Sequence, residues 1–221
     1  MPYEKNFLNP NIVVDVVLFT IVDGDLKVLL ITREGEPFKG FEALPGGYLL
    51  AGETTRAAAE RVLREKAGVT DVYVEQLYTF DTPNRDPRGP VFSVTYLALV
   101  PPTIREHAEE NTQHPQWFSV KKLPKLGFDH RDIVKYAHER VQGKIEYTTI
   151  GFGVLPKLFT LSQVQGVYET ILGKPLDKRN FRKKIEQMGF LKETKQVLTG
   201  MRQRPAKLYT LGTKSTTIKI F

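Results

Sequence analysis

A glycine-rich loop that runs directly into a charged helix constrains this chain more than any other feature. Residues 44–69 read LPGGYLLAGETTRAAAERVLREKAGV. Pro45, Gly46 and Gly47 form a turn poor in side chains. Thr54 or Thr55 can cap the helix that follows, and Gly68 can end it. Strand-like runs lie on either side. Residues 12–22 (IVVDVVLFTIV) and 27–33 (KVLLITR) are β-branched and aliphatic, with the turn signal Asp23-Gly24 between them. Phe38–Leu50 supplies a strand and the loop entering the helix. Val72–Phe80 and Val91–Val100 alternate as two more strands, Gln116-Trp117-Phe118 begins a short one, and His130–Val141 reads as a closing helix. The first part of the chain is therefore expected to be a mixed sheet flanked by helices.

Composition excludes several classes. The chain has no cysteine, so disulfides, cysteine-ligated zinc and thiol catalysis are ruled out. Its N-terminus, MPYEKNFLNPNIVV, lacks the basic and apolar regions of a signal peptide. No apolar run approaches the ~20 residues of a membrane span. A soluble, cytoplasmic protein without a membrane partner is expected. The 221 residues suit two small domains, and charge divides them. Residues 143–221 carry 15 Lys and Arg against 5 Asp and Glu, whereas residues 1–142 carry 17 against 20. Such a split points to a polyanion-binding module (143–221) joined to a near-neutral one (1–142).

The basic half has its own order. Gly143–Leu155 is expected to link the domains, with a short helix at Ile150–Leu155. Thr160 would cap an amphipathic helix carrying Leu161, Val164, Tyr168, Ile171 and Leu172, and Gly173 would end it. Asp177 would cap a second helix with Phe181, Ile185 and Met188 as its buried stripe. FLKETKQV and AKLYTL then read as two strands joined by LTGMRQRP. Helix, turn, helix and β-wing make a winged helix-turn-helix. In that layout the start of the second helix reads the major groove of double-stranded DNA. Lys178, Arg179, Asn180, Arg182 and Lys183 crowd that start. Arg179 or Arg182 can pair with guanine and Asn180 with adenine. Arg202, Arg204 and Lys207 in the wing would meet phosphates or the minor groove. The competing reading is a merely solvated basic helix face.

In the first half, the frame of Gly47, Glu53, Arg61, Leu63, Glu65, Gly68 and Val69 resembles the Nudix box. That resemblance implies an α/β/α sandwich. It also implies a diphosphate-cleaving site whose Mg²⁺ or Mn²⁺ is held by three glutamates on one helix. Two of those three positions are Val62 and Lys66. Valine cannot coordinate, and an ammonium beside the metal seat repels the cation by roughly 4 kcal/mol at an effective dielectric of 20. The chain is therefore expected to lack a metal site and catalytic residues and to require no cofactor. Lys66 can instead pair with a diphosphate, or be a solvated helix lysine; Arg61 and Glu65 can form a surface ion pair.

Candidate effector-binding residues follow. Arg85 and Arg88, in the proline-stiffened loop DTPNRDPRGP, can present forked donors, as can Arg33. Gly46 and Gly47 offer loop amides, and Phe38 and Phe80 can stack on a nucleobase or fill the core. The set suits a nucleoside diphosphate derivative such as ADP-ribose and also permits a sugar. From about Asn11 to Leu211, with LPGG, RDPRG, FDH, the FTL…LDKRNFRKKI block and RPA-LY as its strongest parts, the chain resembles the Nudix-related transcriptional regulators, the NrtR family. The resemblance implies a homodimeric repressor of NAD cofactor biosynthesis genes on palindromic operators, released by ADP-ribose. It equally permits a regulator of sugar catabolism that senses a sugar derivative, and the Nudix frame permits an active pyrophosphatase. Gln203 departs from the Arg-Gly-Arg-Pro wing of many members.

Overall fold

The computed structural model describes residues 9–104, 114–198 and 205–212. Nine strands and four α-helices are described: β1 (Asn11–Val22), β2 (Asp25–Thr32), β3 (Glu42–Ala43), β4 (Gly46–Tyr48), α1 (Thr55–Ala67), β5 (Glu75–Phe80), β6 (Val91–Leu99), β7 (Gln116–Ser119), α2 (His130–Lys144), α3 (Leu161–Leu172), α4 (Lys178–Gln187), β8 (Leu191–Leu198) and β9 (Ala206–Leu211). Strands β3-β2-β1-β6-β5 form the spine of a seven-stranded sheet, with β4 added to β1 and β7 to β2.

Local chemistry accounts for the borders. Asp23 and Gly24 both take positive φ (52° and 72°), the geometry that a two-residue hairpin turn needs. Thr54 caps α1 by accepting from Ala57 N–H, and Gly68 ends it in the left-handed region at φ 64°. Thr160 and Gln163 form a reciprocal capping box at α3, and Asp177 caps α4 through Asn180 N–H. One expectation fails at a border. Gly143 does not begin a linker, because α2 continues through it to Lys144. The expected short helix appears as a 3-10 turn at Ile150–Val154.

Compactness divides the chain discontinuously. One unit comprises the described parts of Met1–Leu18, Val28–Ala98 and Ile104–Lys135. It holds most of the sheet and α1, and its core includes Val14, Val16, Leu29, Leu30, Leu63 and Leu97. The other comprises Phe19–Lys27, Leu99–Thr103 and the described parts of Tyr136–Phe221. There Phe152 sits 5.5 Å from Phe159 and 5.3 Å from Phe190, and Tyr168 sits 5.2 Å from Phe181. This aromatic cluster ties α3 and α4 to the two-stranded β8–β9 wing. Gly153 passes so close to the Leu99 backbone that a Cβ would stand 2.7 Å from the Leu99 carbonyl oxygen. His138 Nε2 and Gln142 Nε2 both reach the Ile171 carbonyl at the end of α3, at 3.2 and 2.9 Å. The tip of the first hairpin and the second half of α2 thus pack with the C-terminal helices. Met188 ends α4 half-buried, so the fully buried stripe is Phe181 and Ile185.

Candidate effector pocket and nucleic-acid interface

The box helix α1 uses its acids on its own arginine. Arg61 donates to both carboxylate oxygens of Glu53 (2.8 and 3.0 Å), to Glu65 (3.2 Å) and to the Tyr48 carbonyl (3.0 Å). The hydrogen bonds from Arg61 hold the Glu53 carboxyl below the usual range. Val62 is wholly buried and packs against Gly47, where a Cβ would meet its Cγ2 at 3.2 Å. Among the described residues, no three His, Asp or Glu side chains gather so as to hold a metal ion. A hard divalent cation needs several oxygen ligands, and this arrangement of valine, lysine and two arginine-bound glutamates does not fit one.

A cleft of about 180 Å³ opens beside this helix. Gly46, Gly47 and Tyr48 of β4 form one wall, in antiparallel register with Asp15, Val14 and Val13 of β1. Of the expected effector residues, Arg33, Gly46, Gly47, Lys66, Arg85 and Arg88 line the cleft; Phe38 and Phe80 do not. Phe38 packs behind it, 4.9 Å from the Phe128 ring, and Phe80 sits 5.4 Å from Tyr78 on β5.

The cations differ in what already holds them. Arg85 is the most committed: its Nε and Nη2 donate to both oxygens of Asp129 at 2.9 and 2.7 Å, and its side chain is only 4% exposed. Arg88 chelates Asp86 at 2.9 and 2.6 Å. Burial opposes ionisation of Asp86, but the Arg88 hydrogen bonds still hold its carboxyl below the usual range. Arg88 and Arg33 flank the Phe128 ring, 5.5 and 4.6 Å from its centroid. Arg33 is steadied by donating to the Pro37 carbonyl at 2.9 Å. Lys66 is half-buried, and burial lowers its pKa although Asp15 opposes the shift. A bound diphosphate would offset that burial by supplying a counter-charge.

Sequence reasoning missed five residues here: Asp15, Tyr48, Asp86, Phe128 and His130 all line the cleft. Asp15 had a readable signal, since it is an acid inside the apolar run of β1. His130 does more than open α2. Its Nδ1 accepts the Leu44 N–H at 2.9 Å, so the ring is neutral and its proton sits on Nε2. Full burial pushes its pKa below the ordinary histidine value.

A pH test follows from that burial. Below about pH 6.5 the unfolded chain binds a proton at this position while the folded chain resists it. The unfolded state then holds more protons, so stability falls as pH drops from about 6.5 towards the lowered folded pKa, by at most about 1.4 kcal/mol per pH unit. The depressed carboxyl of Asp86 acts only below its unfolded value of about 3.9, outside this window. Denaturation at pH 7 and pH 5.5 should show a loss of about 1 kcal/mol. His130→Asn, whose amide oxygen can still accept from Leu44, should remove that loss. An unchanged pH dependence in the variant would refute the assignment.

In the second unit, Lys178, Arg179, Asn180 and Lys183 stand exposed on the first turns of α4. Arg182 instead leans to the start of α3 and donates to Ser162 Oγ at 3.1 Å, with its buried Nε lacking a hydrogen-bond partner. A groove brings Arg182 together with Lys178, Lys207, Thr160 and Ser162. Lys207 meets Glu193 across the wing at 2.7 Å, with both side chains exposed. Such a surface pair contributes little stability. Arg202 and Arg204 lie outside the described residues.

Known proteins match both units. A NUDIX domain model matches residues 12–137, and a model described as the NrtR DNA-binding winged helix domain matches residues 151–211. The ADPR responsive transcriptional repressor NtrR of Acinetobacter baylyi is 36% identical over 94% of this chain and 84% of its own length. The ADP-ribose pyrophosphatase of Methanocaldococcus jannaschii is 37% identical over 58% of this chain and 73% of its own. Among solved structures, Shewanella oneidensis NrtR complexed with a 27mer DNA superposes with a TM-score of 0.83 at 36% identity, covering 90% of this chain and 93% of that one. The NUDIX domain of the same protein complexed with ADP ribose gives a TM-score of 0.52 at 34% identity, covering 62% and 92%.

Proposed function

This chain belongs to the NrtR family of Nudix-related transcriptional regulators, and from that premise we propose that it is a DNA-binding repressor whose Nudix unit senses ADP-ribose. We take residues 1–142 as the effector module and 143–221 as the DNA-binding module. The observation that carries the reading is the composition of the cleft. Arg33, Arg88 and Lys66 bring positive charge to the cleft, and Lys66 stands at a position where the Nudix frame expects a glutamate. These side chains can hold a diphosphate, and no oxygen cage is present among the described residues to polarise it for cleavage. The protein on this reading is a binder and not an enzyme. The pyrophosphatase similar to the Nudix part is named for the same ligand, ADP-ribose.

DNA is held by the second unit. The exposed start of α4 enters the major groove with Arg179 and Asn180 as base readers, while Lys178, Lys183, Arg182 and Lys207 meet phosphates. A homodimer would place two such helices about one helical turn apart, which a palindromic operator matches. ADP-ribose can release the operator only by its difference in affinity between the bound and released arrangements. NAD metabolism genes are the targets that fit an NAD-derived effector. No helix among the described residues is long and apolar enough to cross a membrane.

The experiment is direct. Purified protein should retard a fragment from upstream of its own gene, and micromolar ADP-ribose should release it. Incubation with ADP-ribose and Mg²⁺ should yield no AMP. Retardation that ADP-ribose leaves untouched, together with release by a pentose or sugar phosphate, would replace the effector with a sugar derivative. Steady AMP production abolished by Glu65→Gln would make the protein a hydrolase.

A further inference from the structure

Resting on the effector reading above, we propose that Asp15 and His130 form a hydroxyl-binding floor that takes the pentose diol at the far end of the effector, below the cations that take its diphosphate. Asp15 lies on β1 and is 5% exposed, yet it lines the cleft. Its Oδ2 is satisfied by Ser93 Oγ–H at 2.6 Å and stands 3.7 Å from Arg85. Its Oδ1 faces His130 Nε2 at 3.7 Å, beyond hydrogen-bond reach. Because Leu44 N–H occupies Nδ1, the proton of the neutral ring must be on Nε2. That N–H belongs to a side chain 5% exposed and finds no acceptor among the described residues within bonding distance.

The floor of the cleft therefore pairs one acceptor lacking a donor with one donor lacking an acceptor. A hydroxyl satisfies both, because it donates to Oδ1 and accepts from Nε2–H, and a neighbouring hydroxyl doubles the match. Both atoms border the cleft, and a ligand that brings no hydroxyl there leaves them unpaired once it covers them, which is what makes the site selective. Gly46 keeps Oδ1 accessible, since a Cβ there would collide with it.

Charge sets the order of the ligand's parts. A carboxylate at the floor repels a phosphate, while Arg33, Arg88 and Lys66 attract one. The neutral, hydroxyl-rich end must enter first. Volume agrees: about 180 Å³ is less than the roughly 300–1,000 Å³ of sites that enclose a drug-sized ligand, so only part of a dinucleotide-sized effector goes inside. The base is left to the exposed ring of Tyr48.

Calorimetry on the full-length protein tests this with three ligands: ADP-ribose, an analogue whose distal ribose lacks its 2- and 3-hydroxyls, and ADP. ADP-ribose should bind the wild-type protein about tenfold or more tighter than the analogue, and the analogue about as tightly as ADP. Asp15→Asn should remove a similar factor from ADP-ribose and leave ADP unchanged. An analogue that binds wild type as well as ADP-ribose would overturn the proposal. So would an Asp15→Asn variant that loses the same factor for ADP and ADP-ribose, because Asp15 would then only shape the cleft. Should that variant fail to fold, the analogue on wild-type protein decides alone. Failure of ADP-ribose to bind wild type at all would instead sink the effector reading, and this inference with it.

Discussion

Arg85→Ala will destabilise the Nudix unit by about 3–5 kcal/mol, a third or more of the ~5–15 kcal/mol that holds a typical domain together. The side chain is nearly sealed and fills both oxygens of Asp129. It is also the cation nearest Asp15 from the loop before β6, at 3.7 Å. Alanine would strip Asp129 of its two-point partner and Asp15 of the guanidinium 3.7 Å away, in a poorly solvated place. The loss should exceed that of Arg88→Ala, because Arg88 is largely exposed and pairs with one acid. Arg85→Lys should recover only part, because an ammonium cannot match the two-point geometry. Urea denaturation of the three variants measures the ranking. A cost below about 1 kcal/mol for Arg85→Ala would show that the pair contributes little net stability.

Arg179→Ala combined with Asn180→Ala will weaken operator binding by roughly 100-fold or more, since each side chain that reads a base is worth about 1–3 kcal/mol. Both side chains are exposed on the first turn of α4, whose buried face is carried by Phe181 and Ile185. Folding should therefore be untouched, and ADP-ribose affinity with it. Lys183→Ala should act differently. It should weaken all DNA sequences alike and reduce the salt dependence of binding by about one counterion. Fluorescence anisotropy on operator and scrambled duplexes separates the two effects. A double variant within threefold of wild type on the operator would move base reading to another element.

The secondary structure is largely legible in the sequence because its signals are local. Asp23-Gly24, the Thr54 cap, Gly68, the Thr160 cap and Asp177 each act within a few residues of their own position. Gly143 misleads for the same reason: a glycine near a helix end reads as a terminator, yet the long α2 carries it without a break. Phe38 and Phe80 suggest stacking faces by chemistry alone. Whether an aromatic ring reaches a cleft depends on its neighbours, and neither ring lines this one.

The amino-acid order by itself determined the family, the split between a near-neutral half and a basic half, and the presence of Val62 and Lys66 on the helix that follows the glycine loop. Those are properties of single residues and their spacing. Only the tertiary structure decided that Asp15, Arg85, Asp129 and His130 share one buried cluster, although Asp15 and His130 lie at opposite ends of the Nudix unit. It also decided that Arg85 is spent on Asp129 while Arg33, Lys66 and Arg88 frame the opening. Charge partners are set by distance in space, and strand pairing followed by helix packing brings together groups that the linear order keeps apart.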